Sequence, residues 1–192
     1  MTTDIGQQLR LLSRGHAEMA LCCILYLIWW CIFFWPQSNG GQTSKALQIF
    51  GVVCIISAVI AGIFSSLTLG GVVSSLNGHI SKSWIVSGAI ILYVVLLLIT
   101  SGLLKRPVTT ELLLFVAWFA LELCVANILA GDLSAVVPSW ATYLVVFAAV
   151  VGFCLSLVCY QLYYGLSSTA SFIDGCIPLI AIGVIEITLS LL

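Results

Sequence analysis

Thirteen side chains carry all the formal charge of this 192-residue chain, and only a few stand where they could do chemistry. Glu122 is the clearest. It falls near the middle of an apolar stretch, twelve residues and roughly 18 Å along a helix from Thr110. Helical spacing puts Glu111, Phe115, Trp118, Glu122 and Ala126 on one stripe. Hydrocarbon cannot receive a carboxylate, so the stripe is expected to face a bundle interior or a wet cavity. There a carboxyl can take up and release protons; the plainer role is a hydrogen bond that holds two helices together.

Glu186 is expected well inside the last apolar stretch. The segment Asp174-Gly175-Cys176-Ile177-Pro178 sets an acid beside a helix breaker. Proline has no N–H to donate, which frees a carbonyl near residue 174. That pattern fits either an interrupted helix forming an ion site or an ordinary helix start capped by the acid. Asn127 and Gln161 add amides inside two spans, where they could meet a solute or bridge helices. No Lys or Arg lies mid-span, so the interior disfavours anions and suits protons, small cations or neutral polar solutes. Trp29 belongs to an aromatic run, Tyr26, Trp29, Trp30, Phe33, Phe34 and Trp35. Such rings can hold an ammonium group, although Trp35, before Pro36, reads as part of an interfacial belt.

The elements that must position these residues follow from composition. Hydrophobic residues make up 62% of the chain and charged ones 7%, far from the roughly 45–50% and about 25% of a soluble domain. A water-soluble enzyme, a nucleic-acid-binding module and a disordered tail are excluded. The fold class is an all-α integral membrane protein. A span needs about 20 apolar residues, and six stretches qualify: Glu18–Trp35, Ala46–Leu69, Ser83–Leu104, Thr110–Ala130, Trp140–Leu166 and Ser171–Leu192. The breaks between them are too short for a folded domain. Residues 1–17 are expected to form a separate interfacial segment, a short amphipathic helix or a frayed polar tail. Glu18 and Glu111 are expected at span ends as caps, with Thr109 and Thr110 opening the fourth helix.

The hydrophobic stretches also carry an internal repeat. Ala58-xxx-Gly62-xxx-Ser66 in span two matches Ala148-xxx-Gly152-xxx-Ser156 in span five, each pair 90 residues apart. Spans three and six share an opening and a closing pattern 88 apart, and Glu18 and Glu111 lie 93 apart. The same 93 pairs Trp29 with Glu122. The expected organisation is therefore two three-helix units, 18–104 and 105–192. Three spans per unit is odd, so the second is inverted relative to the first. Small residues at every fourth position let helices approach closely, within the chain or against a second copy of it. Arg10, Arg14 and Lys82 fall on one side of the membrane and Lys45, Lys105 and Arg106 on the other. That balance leaves the positive-inside rule undecided; if the terminal arm dominates, the N-terminus is cytoplasmic.

Other chemistry is missing. The eight cysteines form no CxxC pair and read as small hydrophobes. His16 and His79 are expected at span edges, without metal-site or haem-ligand spacing. There is no Ser/His/Asp set, no phosphate loop and no basic face for nucleic acid. An enzyme and a cofactor are not expected. The functional expectation is a small transporter or channel for a cationic or neutral polar solute, with a site drawn from Glu122, Glu186, Trp29, Asn127, Gln161, Trp118 and Asp174. The alternative is a non-catalytic assembly subunit of a larger membrane complex.

Overall fold

The computed structural model describes residues 2–105 and 110–191. Arg106 and Thr109, used above in the charge count and the expected start of span four, lie outside them. The chain is all-helical, with six helices long and apolar enough to span a membrane. These are α1 (Thr2–Ser38), α2 (Lys45–Ser75), α3 (Lys82–Leu98), α4 (Thr110–Ala130), α5 (Ser139–Leu162) and α6 (Ser168–Ser190). A π-helical segment, Ile99–Leu103, extends α3, and a 3-10 turn, Tyr163–Gly165, extends α5. Span four has the bounds expected from sequence; spans two, three, five and six shift by one to six residues at their ends, and span one starts thirteen residues earlier.

The largest difference is α1. It runs unbroken for 37 residues, about 55 Å, so the N-terminal segment and the first span are one helix. Between residues 13 and 18 only Gly15 disfavours a helix, and Arg14 and Glu18 pair across it at i, i+4. Glu18 is thus an interior residue of α1 rather than a cap. Glu111 does lie in the first turn of α4. Pro36 sits in the last turns of α1, and Gly40, at φ +69°, turns the chain out of the helix while the Gly41 N–H donates to the Pro36 carbonyl at 2.7 Å.

The chain divides into two compact units, residues 1–72 with 158–192, and residues 73–157. In the first, α1 packs against both α2 and α6, antiparallel to each. Along α2, Gly15 meets Leu69, Gly62 meets the Cys22 sulphur and Gly51 meets Ile32 and Phe33. Along α6, Ser13 donates to the Ser190 carbonyl, Gly183 meets Cys23 and Gly175 meets Trp30. Five of these six contacts use a glycine, which is how apolar helices approach without a hydrophobic drive between them.

In the second unit, α4 is the most buried helix: Leu112, Val116, Trp118, Glu122 and the run Cys124–Leu129 are all enclosed. Phe119 of α4 stacks on Phe153 of α5, centroids 4.6 Å apart. The chain before α3 is tied to the far end of α4. The Asn77 N–H donates to Asp132 Oδ2 at 2.7 Å and the Asp132 N–H to the Asn77 carbonyl at 3.0 Å. Gly78 and Gly131 are required here, since a Cβ on Gly78 would run into the Asn127 amide and one on Gly131 into the backbone of Asn77 and Gly78.

The small-residue ladders are only partly packed. Ala58 is buried and Gly62 is in contact, but Ser66 is exposed, whereas Gly152 and Ser156 are both buried. The enclosed faces of α2 and α5 correspond one residue out of step with the ladders: Cys54 and Val145, Ala58 and Ala149, Ser65 and Ser156, and Leu69 and Tyr160 are each 91 apart and all buried.

Candidate functional site: buried acids and an imidazole

One face of α6 is enclosed along its length, through Asp174, Pro178, Ile182, Gly183, Glu186 and Leu189. The i, i+4 spacing of 174, 178, 182 and 186 makes this a single stripe. It carries two carboxyls twelve residues apart, about 18 Å along the axis. Glu186 is fully buried, and its Oε2 lies 2.8 Å from Nδ1 of His16, itself 1% exposed. An imidazole nitrogen and a carboxyl oxygen at that distance are hydrogen-bonded, and which of them donates depends on the tautomer. His16 therefore sits inside the first unit, not at an edge, because α1 continues past it for fourteen residues toward its N-terminus.

The surroundings of this pair are polar. Ser65 Oγ donates to the Gly15 carbonyl at 2.7 Å, Thr68 Oγ1 donates to Glu18 Oε2 at 3.0 Å, and Arg14 Nε donates to Glu18 Oε1 at 2.7 Å. The layer thus gathers hydroxyls from α2 and the Glu186 carboxyl from α6 along about one turn of α1. Its depth can be read from the helices. Ser13 meets Ser190 at one end of the α1–α6 pair and Trp35 meets Phe172 at the other, 22 residues or about 33 Å apart. Glu186 lies four residues from the end of α6. Sequence reading places it well inside the span; it lies about one turn from the end of α6 and is fully buried there.

Asp174 occupies the second turn of α6 and is 6% exposed. The helix runs straight through Pro178, so neither sequence reading is met: α6 is continuous, and the acid is six residues past its start instead of at a cap. Trp30, buried beside it, donates from Nε1 to the Phe172 carbonyl at 3.1 Å and stacks on Phe34 at 4.1 Å. Trp29 is half-buried, its edge against Tyr26 and Phe34. Gln161 is half-buried near the end of α5.

In the second unit, Glu122 is fully buried and Trp118 nearly so. Both lie on the sequence-predicted stripe, whose outer end at Glu111 is exposed. Asn127 is buried and its amide is engaged on both sides: Nδ2 donates to the Ile80 carbonyl at 2.7 Å, and Oδ1 accepts from the Ile80 N–H at 2.8 Å. Those two bonds make it a clamp on the chain before α3. The sequence-predicted residues thus divide, with Trp29, Gln161, Asp174 and Glu186 in the first unit and Trp118, Glu122 and Asn127 in the second. Within the first, Asp174 and Glu186 are separate positions, not one cluster.

The residue that sequence reasoning missed is His16. The signal was present in Gly15-His16 at helical spacing from Leu12 and Ala20, all buried, but neighbouring Arg14 and Glu18 disguised it as a membrane edge. Against known proteins, the chain matches no family model, no curated protein and no solved structure.

Proposed function

We propose that this chain is a small membrane transporter or channel for a cationic or neutral polar solute, with protons exchanged at its buried carboxyls. The observation that carries the reading is the buried His16–Glu186 pair in helices apolar enough to span a membrane. Intramembrane acids and imidazoles are costly and mark ion paths or proton relays. Glu122 and Asp174 add two more buried carboxyls, while among the described residues no Lys or Arg is buried. That interior attracts cations and repels anions. The two inverted three-helix repeats belong to the same proposal. Their support is the ladder itself and one matched local bond: Ser66 Oγ donates to the Gly62 carbonyl and Ser156 Oγ to the Gly152 carbonyl, each at 2.8 Å.

The test is flux in proteoliposomes loaded with a pH-sensitive dye and challenged with sodium, small ammonium ions and neutral polar solutes. Wild type is expected to move protons with one of these, and Glu186→Gln and Glu122→Gln to lose that movement while remaining folded. Wild-type flux in both variants, or no flux for any solute, overturns the reading. An assembly role has one specific observation in its favour. Helix α3 buries none of its residues from Lys82 to Leu98, with Trp84, Ile90, Ile91 and Leu98 all exposed. Capture of a membrane partner by α3, with flux absent, would favour that role.

A further inference from the structure

We propose that Asp174 anchors a binding site for a small monovalent cation of about the size of sodium, which rests on the reading of this chain as a cation-handling membrane protein. The carboxyl is enclosed, and its Oδ2 has no hydrogen-bond partner among the described residues. A buried carboxylate oxygen without a donor is among the costlier arrangements in a protein, and such an atom commonly marks a bound ion or water. The Cys159 thiol hydrogen-bonds the carboxyl, but it is a weak donor that cannot balance a charge. No Lys, Arg or His pairs with Asp174 among the described residues.

The backbone of the same residue is short of a donor as well. Pro178, four residues on, has no N–H to give the Asp174 carbonyl. One residue therefore offers two oxygens whose ordinary donors are absent, for two independent reasons. Oxygens of this kind suit hard cations over soft ones. A single carboxylate matches one positive charge.

The neighbours bear on the size. Gly175 carries no side chain and lies directly against the Trp30 indole. That ring is fixed by its bond to the Phe172 carbonyl and by its stack on Phe34, with Tyr163 beyond it, centroid 6.2 Å away. Trp30 is buried, with Phe34 stacked on it and Gly175 against it, so its face is not open to an organic ammonium. A monatomic ion with water completing its shell asks less room of these neighbours than an organic ammonium does.

The test needs no transport. The full chain in detergent is unfolded thermally, followed by tryptophan fluorescence, in sodium chloride against N-methylglucamine chloride at equal ionic strength. The expected result is a saturable rise in midpoint with sodium. In Asp174→Asn the half-saturating concentration should rise about tenfold or more, the scale of one lost charged contact; Pro178→Ala should shift it in the same direction by less. Because Asp174→Asn could fail to fold, alkylation of Cys159 is read in wild type by peptide mass spectrometry, and sodium should slow it. The proposal is overturned if sodium, lithium, potassium and N-methylglucamine give the same midpoint and the same Cys159 rate, as they would if a proton or water alone served Asp174. It is also overturned if folded Asp174→Asn keeps the wild-type response. Saturable sodium binding without any flux would leave this site standing and remove the transport reading; flux without sodium binding would do the reverse.

Discussion

The His16–Glu186 contact allows a prediction whose sign is set by burial. Both side chains are at 1% exposure or less and 2.8 Å apart. Deleting one partner of such a pair removes the interaction that offsets the other's desolvation, a cost of about 3–5 kcal/mol. Replacing both by apolar residues removes the desolvation burden with the attraction, so the double change costs much less than two single ones. Glu186→Leu and His16→Leu are each expected to lower stability by about 3 kcal/mol or more, and the double variant to be more stable than either. Arg14→Ala is the control. Its guanidinium is 66% exposed and pairs with Glu18 at i, i+4, a geometry that contributes only about 0.3–0.5 kcal/mol. The measurement is equilibrium unfolding in mixed detergent micelles, followed by tryptophan fluorescence, for wild type, the two single variants, the double and the control. Strict additivity, with the double variant losing the sum of the singles, would falsify the argument that these two groups act as a unit.

Three further outcomes follow from the packing. Gly131→Ala sets a methyl against the backbone of Asn77 and Gly78, which cannot move aside as a side chain would; it should cost about 1–3 kcal/mol, with faster hydrogen exchange at residues 76–81. Asn127→Ala removes both bonds to Ile80 and should loosen the same segment by about 2 kcal/mol. Exchange in that segment unchanged from wild type would return Asn127 to the list of solute ligands. Trp30→Phe keeps an aromatic ring but loses the bond to the Phe172 carbonyl; a loss near 1 kcal/mol is expected, whereas Gly175→Ala, pressed into the indole, should cost more.

The six spans were legible because apolar length is a local property and needs no partner. Burial of Glu122 was legible for a related reason: twelve residues of hydrophobic helix on one side and eight on the other leave a carboxylate only the interior. The amide of Asn127 was not. Its partners are backbone groups of Ile80, 47 residues away, and no spacing rule connects a side chain to a distant loop. The ladders show the same limit from the other side. Their spacing of four is visible in sequence, but which face each helix turns inward is decided by packing, and the buried faces of α2 and α5 register at 91 while the motif registers at 90.

His16 shows why charge alone is an ambiguous marker in such a chain. A cluster of Arg14, His16 and Glu18 reads as the end of a span because ionisable groups usually avoid hydrocarbon. The same cluster is also what a polar layer inside a bundle requires, and the two cases differ only in what the neighbouring helices supply. Here α2 supplies Ser65 and Thr68, and α6 supplies Glu186, 170 residues away in sequence. The rotation of α1 then assigns the roles. Arg14 points outward and satisfies Glu18 at the rim, while His16, two residues on and about 200° around the helix, turns inward to Glu186. One short run of sequence therefore makes both an exposed ion pair and a buried imidazole–carboxyl contact. The first needs only the i, i+4 spacing of Arg14 and Glu18; the second exists only once α6 is in place.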